Sequence, residues 1–563
     1  MSFFASRSAA QSSSRPNPVP SSPPTQVSRR TALTACVSAI GITALLSSCG
    51  TGQGGSGSAS TPSAPQLSDW SAKPSGPIDS FSWVVSGEPT SFDSTRDNST
   101  HLARVLPNVV ERLLWRQPDG KLVPGLAESW QQLTPTRYSF ALRSGVTFHN
   151  GDHLGPQDVI DSLNRSRADD SVWAHGLASI ESIEADGDAG VVITLGRPDA
   201  LLLAYLSTAA GSIESRKTLR DAGDKYGSSP EFINGTGPFA LTSWQRGSTI
   251  ELAKHDDYWG TAALAGAVTV KILEDSVSRN QALSAGEIDG SSAISAGSES
   301  SITTVGAGKK GSMYFGAGSS TWAVAFFNSD GILADPKVRR ALSMAIDREG
   351  LVIAASGGNA EPAGDFAAPA LWAGDKQRAQ PLGQDIDSAK KLIASARVSG
   401  SELVLSYSAQ SSTVTPMATA VQAAGEAIGL KIKLREVSVE VTNAFQADPE
   451  SRKGTDMSLA QISTQAYDPL DVYERFTSGS PRSYSGYGNP KVDSLLARAR
   501  NESDQASRET ILAQTRSLLL GDMPWIPLIS APVAVFFGET ITGGPTSAAG
   551  TQNFPWAAYV GSR

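Results

Sequence analysis

Between Gly125 and Leu163 the hydrophobic period of the chain switches from two to about 3.6. Tyr138, Phe140 and Leu142 alternate with Ser139, Ala141 and Arg143, the pattern of a strand with one buried face. Ser144-Gly145 predicts a turn, Val146 to His149 a second short strand, and Asn150-Gly151 another turn, since both residues tolerate positive φ. Gly155-Pro156 then opens a helix, with proline in the first turn where its missing N–H costs nothing. Val159, Ile160 and Leu163 give that helix one apolar face. By itself this is an ordered α/β segment.

At 563 residues the chain is too long for one core, so two or more domains are expected. The formal charge is −8, and the first 48 residues carry Arg7, Arg15, Arg29 and Arg30 but no acid, so the rest is more acidic still. That argues against nucleic acid as a partner and against anionic membrane as a ligand. The two cysteines are Cys36 and Cys49. Both precede the folded body, which therefore has neither disulfides nor thiolate chemistry.

Residues 1–27 are Ser- and Pro-rich without periodicity, the composition of disorder. Ser28-Arg29-Arg30 precedes an apolar run from Ala32 to Leu46, then Leu46-Ser47-Ser48-Cys49-Gly50. A basic start, an apolar centre and small residues before the break describe an export signal. Leu46 to Cys49 resembles a bacterial lipobox, whose cysteine is diacylated and becomes the mature N-terminus. The alternative is an ordinary secretory signal with an incidental cysteine. The arginine pair leaves general secretion and twin-arginine export both open. Residues 50–77, mostly Gly, Ser, Thr and Pro, predict a flexible tether.

His149 and His153 are four apart, a metal-like spacing only in a helix, and Asn150-Gly151 between them breaks one. They read as surface turn residues. There is no H-E-x-x-H, no paired cysteines, no EF-hand loop and no G-x-S-x-G elbow. Asp256-Asp257 are adjacent, not arranged as a dyad. Gly235-Thr236-Gly237-Pro238-Phe239 lacks the lysine of a phosphate loop, and its glycines turn the chain into a strand. No catalytic residue, metal site or cofactor is expected.

Phe81 to Val85 predicts a strand, Glu181 to Leu195 a hairpin turning at Asp186-Gly187, and Ala282 to Asp289 a helix ending at Gly286. Asp335-Pro336 caps a helix with Val338, Ala341, Leu342, Ala345 and Ile346 on one face. Leu403 to Val437 reads as strand, helix, strand, so part of a second sheet is parallel. Asn489-Pro490 and Asp504 open two more helices.

The wording of these segments carries a family resemblance. PGLAESW, LRSGVTFHNG and PQDVIDSL within residues 124–163 resemble the family 5 extracellular solute-binding proteins, the peptide- and nickel-type receptors of ABC importers. Gly235 to Ala240, His255 to Gly260, Gly286 to Gly290, Asp335 to Arg348 and Tyr484 to Leu496 follow in the expected order, and the likeness spans roughly Phe81 to Gly538. It implies an α/β, two-lobe periplasmic-binding-protein-like fold of class II type, with an extra subdomain in the first lobe. Residues 1–49 would be a signal peptide with lipobox and 50–77 the tether. Lobe I would span 78–320, with the extra subdomain at about 108–205. Lobe II would span 321–526, and 527–563 would return to lobe I. Tyr314 to Asn328 and Pro524 to Phe537 would be the crossings. The implied function is capture of an oligopeptide or similar solute, by closure of the lobes, for a permease and ATPase complex. The protein would be a monomer held outside the cell membrane by lipid on Cys49. A secreted hydrolase and a receptor for signalling stand as alternatives.

The same resemblance implies a ligand-binding set. Glu88 and Thr90 match the loop at the cleft edge after the opening strand. Trp322, Trp372 and Tyr467 match the crossing, a lobe II loop and the Asp-Pro segment, although core packing claims most aromatics. Peptide-binding members pair an aspartate, four residues before that proline, with the peptide's α-amino group. Here the matching position is Gln465, and Asp468 directly precedes Pro469. A neutral amide supplies no charge, so weak recognition of a free N-terminus is expected, unless Asp468 takes the amine-binding role.

Overall fold

The computed structural model describes residues 66–294, 311–327, 331–372, 379–409 and 413–563. The expectations for residues 1–65, Cys49 among them, lie outside the described residues.

Two sheets organise the body into two lobes. The first has seven strands, in the order Gly311–Gly316, Val533–Gly538, Gly290–Ile294, Ile78–Val85, Ala265–Ile272, Thr249–Lys254 and Phe239–Gln245. The second has six: Glu361–Pro362, Trp525–Ser530, Thr321–Phe326, Met457–Ile462, Glu402–Tyr407 and Lys431–Glu436. Strands 402–407 and 431–436 run parallel, joined by helix Val414–Ala427, as the apolar pattern predicts. Asp335 caps helix Pro336–Ala345 through the Lys337 amide, and Val338, Ala341, Leu342 and Ala345 bury its inner face. A four-stranded antiparallel sheet, Ala127–Thr134, Arg137–Leu142, Gly190–Leu195 and Ile180–Ala185, adds to lobe I. Tyr138, Phe140 and Leu142 point into its core.

Strands 311–316 and 321–326 lie in different sheets, and so do 525–530 and 533–538. The chain therefore crosses between lobes twice, at Ala317–Ser320 and at Ala531–Pro532. The crossings touch backbone to backbone: a Cβ on Gly318 would lie 2.1 Å from the Ala531 carbonyl oxygen. Thr321 and Ser530 hydroxyls bond at 2.9 Å, where one strand enters lobe II and the other leaves it. Two thin adjacent crossings are the geometry of a hinge.

Three local expectations are corrected. Val146 to His149 is no strand, because only Thr147 bridges back, to His153. His149 is no surface turn residue; it sits half-buried against His255, ring centroids 4.9 Å apart, with Nε2 3.1 Å from the Gly237 carbonyl oxygen. Residues 66–77 are not free tether. The Ser71 and Ser75 amides donate to the Gly544 and Ser562 carbonyls, and Trp70 packs against Phe554 and Tyr559. A single tryptophan with aromatic partners outweighs a small-residue composition. The glycines of residues 235–237 serve close approach, since a Cβ on Gly235 would lie 1.9 Å from the Val109 carbonyl oxygen.

Candidate functional site

Between the lobes, beside both crossings, lies a cavity of about 730 Å³. Lobe I contributes Asn98, Thr100, Ala103, Arg104, Trp173 and Arg279. Lobe II contributes Trp322, Gln461, Thr464, Gln465 and Tyr467. Gly318 to Ser320 and Ala531 to Ala534 supply the hinge wall.

Helix Thr100–Val105 builds the lobe I wall, and the Ser99 hydroxyl caps it through the Leu102 amide. Leu102 and Val105 are buried, which leaves Thr100, Ala103 and Arg104, at i, i+3 and i+4, on the cavity face. The Arg104 carbonyl accepts the Trp556 indole N–H at 2.7 Å and the Asn108 amide at 3.5 Å, so the backbone is pinned from behind. The Trp173 indole N–H is tied to the Ser94 carbonyl at 2.7 Å.

The lobe II wall is the segment Ser463 to Tyr467, held from below by buried Asp471. That carboxylate accepts the Thr464 hydroxyl at 2.8 Å, the Gln465 amide at 3.0 Å and the Tyr205 hydroxyl at 3.0 Å. Burial pushes its pKa up, but Arg482 and these donors outweigh burial and hold it below the ordinary value. Tyr205 comes from the lobe I side, so the bond also ties the lobes. Gln465 reaches across to the Asn98 carbonyl at 3.4 Å. Tyr467 has φ of +54°, rare for an aromatic residue and costing about 1–3 kcal/mol. Arg116 lies 5.6 Å from its ring centroid, and its hydroxyl bonds Gln552 at 3.3 Å.

Of the residues singled out from sequence, Trp322, Gln465 and Tyr467 meet in this cavity. Four do not line it. Glu88 is spent on the Trp244 indole at 3.0 Å and the Gly247 amide at 3.1 Å. Thr90 gives its amide and hydroxyl to Asp97 and lines a separate groove on lobe I. Trp372 is buried with its indole N–H on Asp365 at 3.1 Å, and borders a smaller pocket that shares Gly318 and the Ala531–Pro532 crossing. Asp468 caps helix Pro469–Tyr473 and holds Arg508 through two bonds, at 2.9 and 2.7 Å, both residues buried. It is not free to take an ammonium group.

Sequence reading missed Arg104, Arg279 and Asp471. The i, i+3, i+4 stripe that holds Arg104 is visible in Thr100 to Val105, but six residues are too few to fix a helical face. Asp471 lies beyond the Asp-Pro step and shows no charge partner in sequence.

Among the described residues lining the cavity there is no carboxylate, and two are arginines. Nε and Nη1 of Arg104 are shut off from solvent and have no partner among the described residues. Arg279 gives Nη1 to the Leu273 and Glu274 carbonyls at 2.6 Å, and its Nε has no partner among the described residues. Burial, and after it the neighbouring Arg279, lower the Arg104 pKa to about 10, so it is charged at neutral pH.

The family described as bacterial extracellular solute-binding proteins, family 5 Middle, matches residues 121–484. The dipeptide-binding protein DppE of Bacillus subtilis (strain 168) is 23% identical over 501 residues, covering 84% of this chain and 90% of the relative. The probable D,D-dipeptide-binding periplasmic protein DdpA of Escherichia coli (strain K12) is 26% identical over 428 residues, with 74% and 81% covered. The periplasmic binding protein DppA from Helicobacter pylori, solved with the peptide STSA, superposes with a TM-score of 0.74 at 22% identity, covering 86% of this chain and 98% of that one. AgaA from A.tumefacien R10, solved with agropinic acid, gives 0.73 at 22% identity, with the same coverage.

Proposed function

The chain belongs to the bacterial extracellular solute-binding proteins of family 5, and on that premise we propose that it is the receptor of an ABC importer, capturing a peptide-like solute between its lobes and delivering it to the permease. The observation that carries this reading is the interlobe cavity, walled by both lobes and placed at two crossings that touch at Gly318. A volume of about 730 Å³ suits a solute of a few residues. A solute touching both walls favours the closed form, which couples binding to closure. The names of the relatives, dipeptide-binding among them, support the peptide-like class.

No helix among the described residues is long and apolar enough to cross a membrane. The body is held at the outer face of the membrane by lipid on Cys49, a role supported by the lipobox resemblance and the small-residue stretch after it. It acts as a monomer, with no cofactor.

Solutes retained through purification are identified by mass spectrometry, and X-ray scattering is recorded before and after their removal. The expected result is a bound small solute and a larger radius of gyration once it is removed. An unchanged radius with a tightly bound solute contradicts capture by closure. Processing of the bound solute, abolished by one cavity substitution, supports the hydrolase instead. Cys49→Ala should release the protein into the soluble extracellular fraction; retention on the membrane contradicts the anchor.

A further inference from the structure

How this chain treats a structural arginine is visible elsewhere in the fold. Arg348 is buried in lobe II without an acid, and its N–H groups go to the Pro527, Ser343 and Leu382 carbonyls and the Ser343 hydroxyl. Arg339 is caged by the Met523, Leu333, Ala334 and Asp522 carbonyls. Both of these guanidinium groups are surrounded by backbone oxygens, whereas buried Arg112 keeps only its Nη1 bonded, to the Ser207 carbonyl and the Asn553 amide oxygen. Arg104 has no such cage. Its backbone is fixed, its side chain lines the interlobe cavity, and two of its nitrogens are cut off from solvent with no acceptor among the described residues. An uncompensated charge in such a place costs stability, and among the described residues no acceptor meets those two nitrogens.

The described cavity lining lacks the matching negative charge; Asp275, outside the lining, acts on Arg279. The described lining contains no carboxylate, and Arg279 adds a second guanidinium with a free Nε. Asp471, just behind the lobe II wall, is satisfied by Thr464, Gln465 and Tyr205. Asp468 is held by Arg508. Where a carboxylate would be needed to receive an ammonium group, the wall presents Gln465, whose amide faces the Asn98 carbonyl.

We propose that the solute taken by this cavity is an anion, a small carboxylate-bearing molecule whose acid group seats on Arg104, and that a free amino group is not what the site recognises. The inference rests on reading the interlobe cavity as the solute site. The carboxylate fits because it supplies acceptor oxygens and charge together. Arg104 is then the specificity-determining residue, and Arg279 strengthens the field without direct pairing.

The probe is the small-molecule fraction of yeast extract, split on an anion exchanger into a retained, anionic pool and an unretained pool. Captured solutes are released by acidified methanol and identified by mass spectrometry. Wild-type protein should capture solutes from the anionic pool. Acetylating the amines of that pool should leave capture within about fivefold. Amidating its carboxyls should lower capture by about thirtyfold or more, equivalent to about 2 kcal/mol. Arg104→Gln should lose capture to the same extent, Arg104→Lys less, and the empty Arg104→Gln protein should melt no lower than empty wild type. Capture from the unretained pool that survives in Arg104→Gln overturns the proposal while leaving the solute receptor intact. So does loss of capture on amine acetylation, or a lowered melting temperature of the empty variant, which marks a structural arginine. Capture of nothing from either pool contradicts the receptor reading itself, and the proposal falls with it.

Discussion

Two of the cavities among the described residues are lined by more than one arginine, and they treat them in opposite ways. The groove on lobe I, about 870 Å³, is lined by Arg96, Arg165, Arg216, Arg220 and Arg246. Arg96 meets Asp170 at 3.0 Å, Arg216 meets Asp161 at 2.9 Å, and Arg220 lies 3.7 Å from Asp221. Arg165 joins Asp93 and also Glu214, the latter at 2.9 Å. Arg246 stacks on Trp244 and donates to the Thr90 carbonyl. The interlobe cavity is slightly smaller and has two arginines among its described lining residues, yet Nε and Nη1 of Arg104 have no partner among the described residues. The number of arginines does not make an anion site. What matters is whether the fold has already supplied the counter-charge.

If that distinction is right, the largest effect comes from the groove and concerns stability alone. Arg165→Gln leaves two buried carboxylates, Asp93 and Glu214, without their cation, and should cost about 3–5 kcal/mol in chemical denaturation. Solute capture by the variant that remains folded should be unchanged. Loss of capture without loss of stability would reverse the roles of the two regions. Asp468→Asn sharpens the same point in lobe II. It breaks the buried pair with Arg508 and should lower stability by a comparable amount, with no change in preference between free and acetylated amines. A shift toward blocked amines would return Asp468 to the amine-binding role.

Acidity separates the regions next. Burial raises the Glu214 pKa from 4.5 to about 7, with Arg165 opposing and Asp93 adding to it. One guanidinium serves two buried acids, so one of them is under-compensated. The folded state binds this proton more tightly than the unfolded chain does. Its contribution to stability is therefore lost as pH rises from 4.5 through about 7 and regained on acidification, at up to about 1.4 kcal/mol per pH unit. Arg104, with a pKa of about 10, keeps its charge throughout. Melting should shift between pH 5 and 7 while solute affinity stays flat. A Glu214→Gln protein with an unaltered melting profile would remove this contrast. The smallest effect belongs to Arg216→Gln, whose pair with Asp161 is exposed; it should change stability by about 0–1 kcal/mol and capture not at all.

Much of the frame was legible in the sequence because it is written in local terms. Periodicity marked the strand at Tyr138 to Leu142 and cap residues marked the helices opened by Asp335, Asn489 and Asp504, while the crossings came from the family resemblance of Tyr314 to Asn328 and Pro524 to Phe537. The cavity was legible only at Trp322, Gln465 and Tyr467, which sit at or near those landmarks. Glu88, Thr90, Trp372 and Asp468 were misplaced for one shared reason. Each carries a polar group that finds an internal partner (Trp244, Asp97, Asp365 and Arg508), and such pairing is set by how the loops fold, not by the hydrophobic pattern or by a cap signal. Arg104 was missed for the inverse reason. Its significance lies in two nitrogens that lack a partner among the described residues, which is a property of the folded surroundings and not of Thr100 to Val105.

The decisive measurement is a crystal structure of the wild-type protein grown with the solute it captures from the anionic pool. The predicted result is solute density between the lobes, with an acid group against the Arg104 guanidinium and the Arg165 ion pairs of the groove undisturbed. Density in the lobe I groove, or an interlobe solute that turns an amine toward Gln465 and leaves Arg104 unpaired, would contradict the distinction drawn between the two regions.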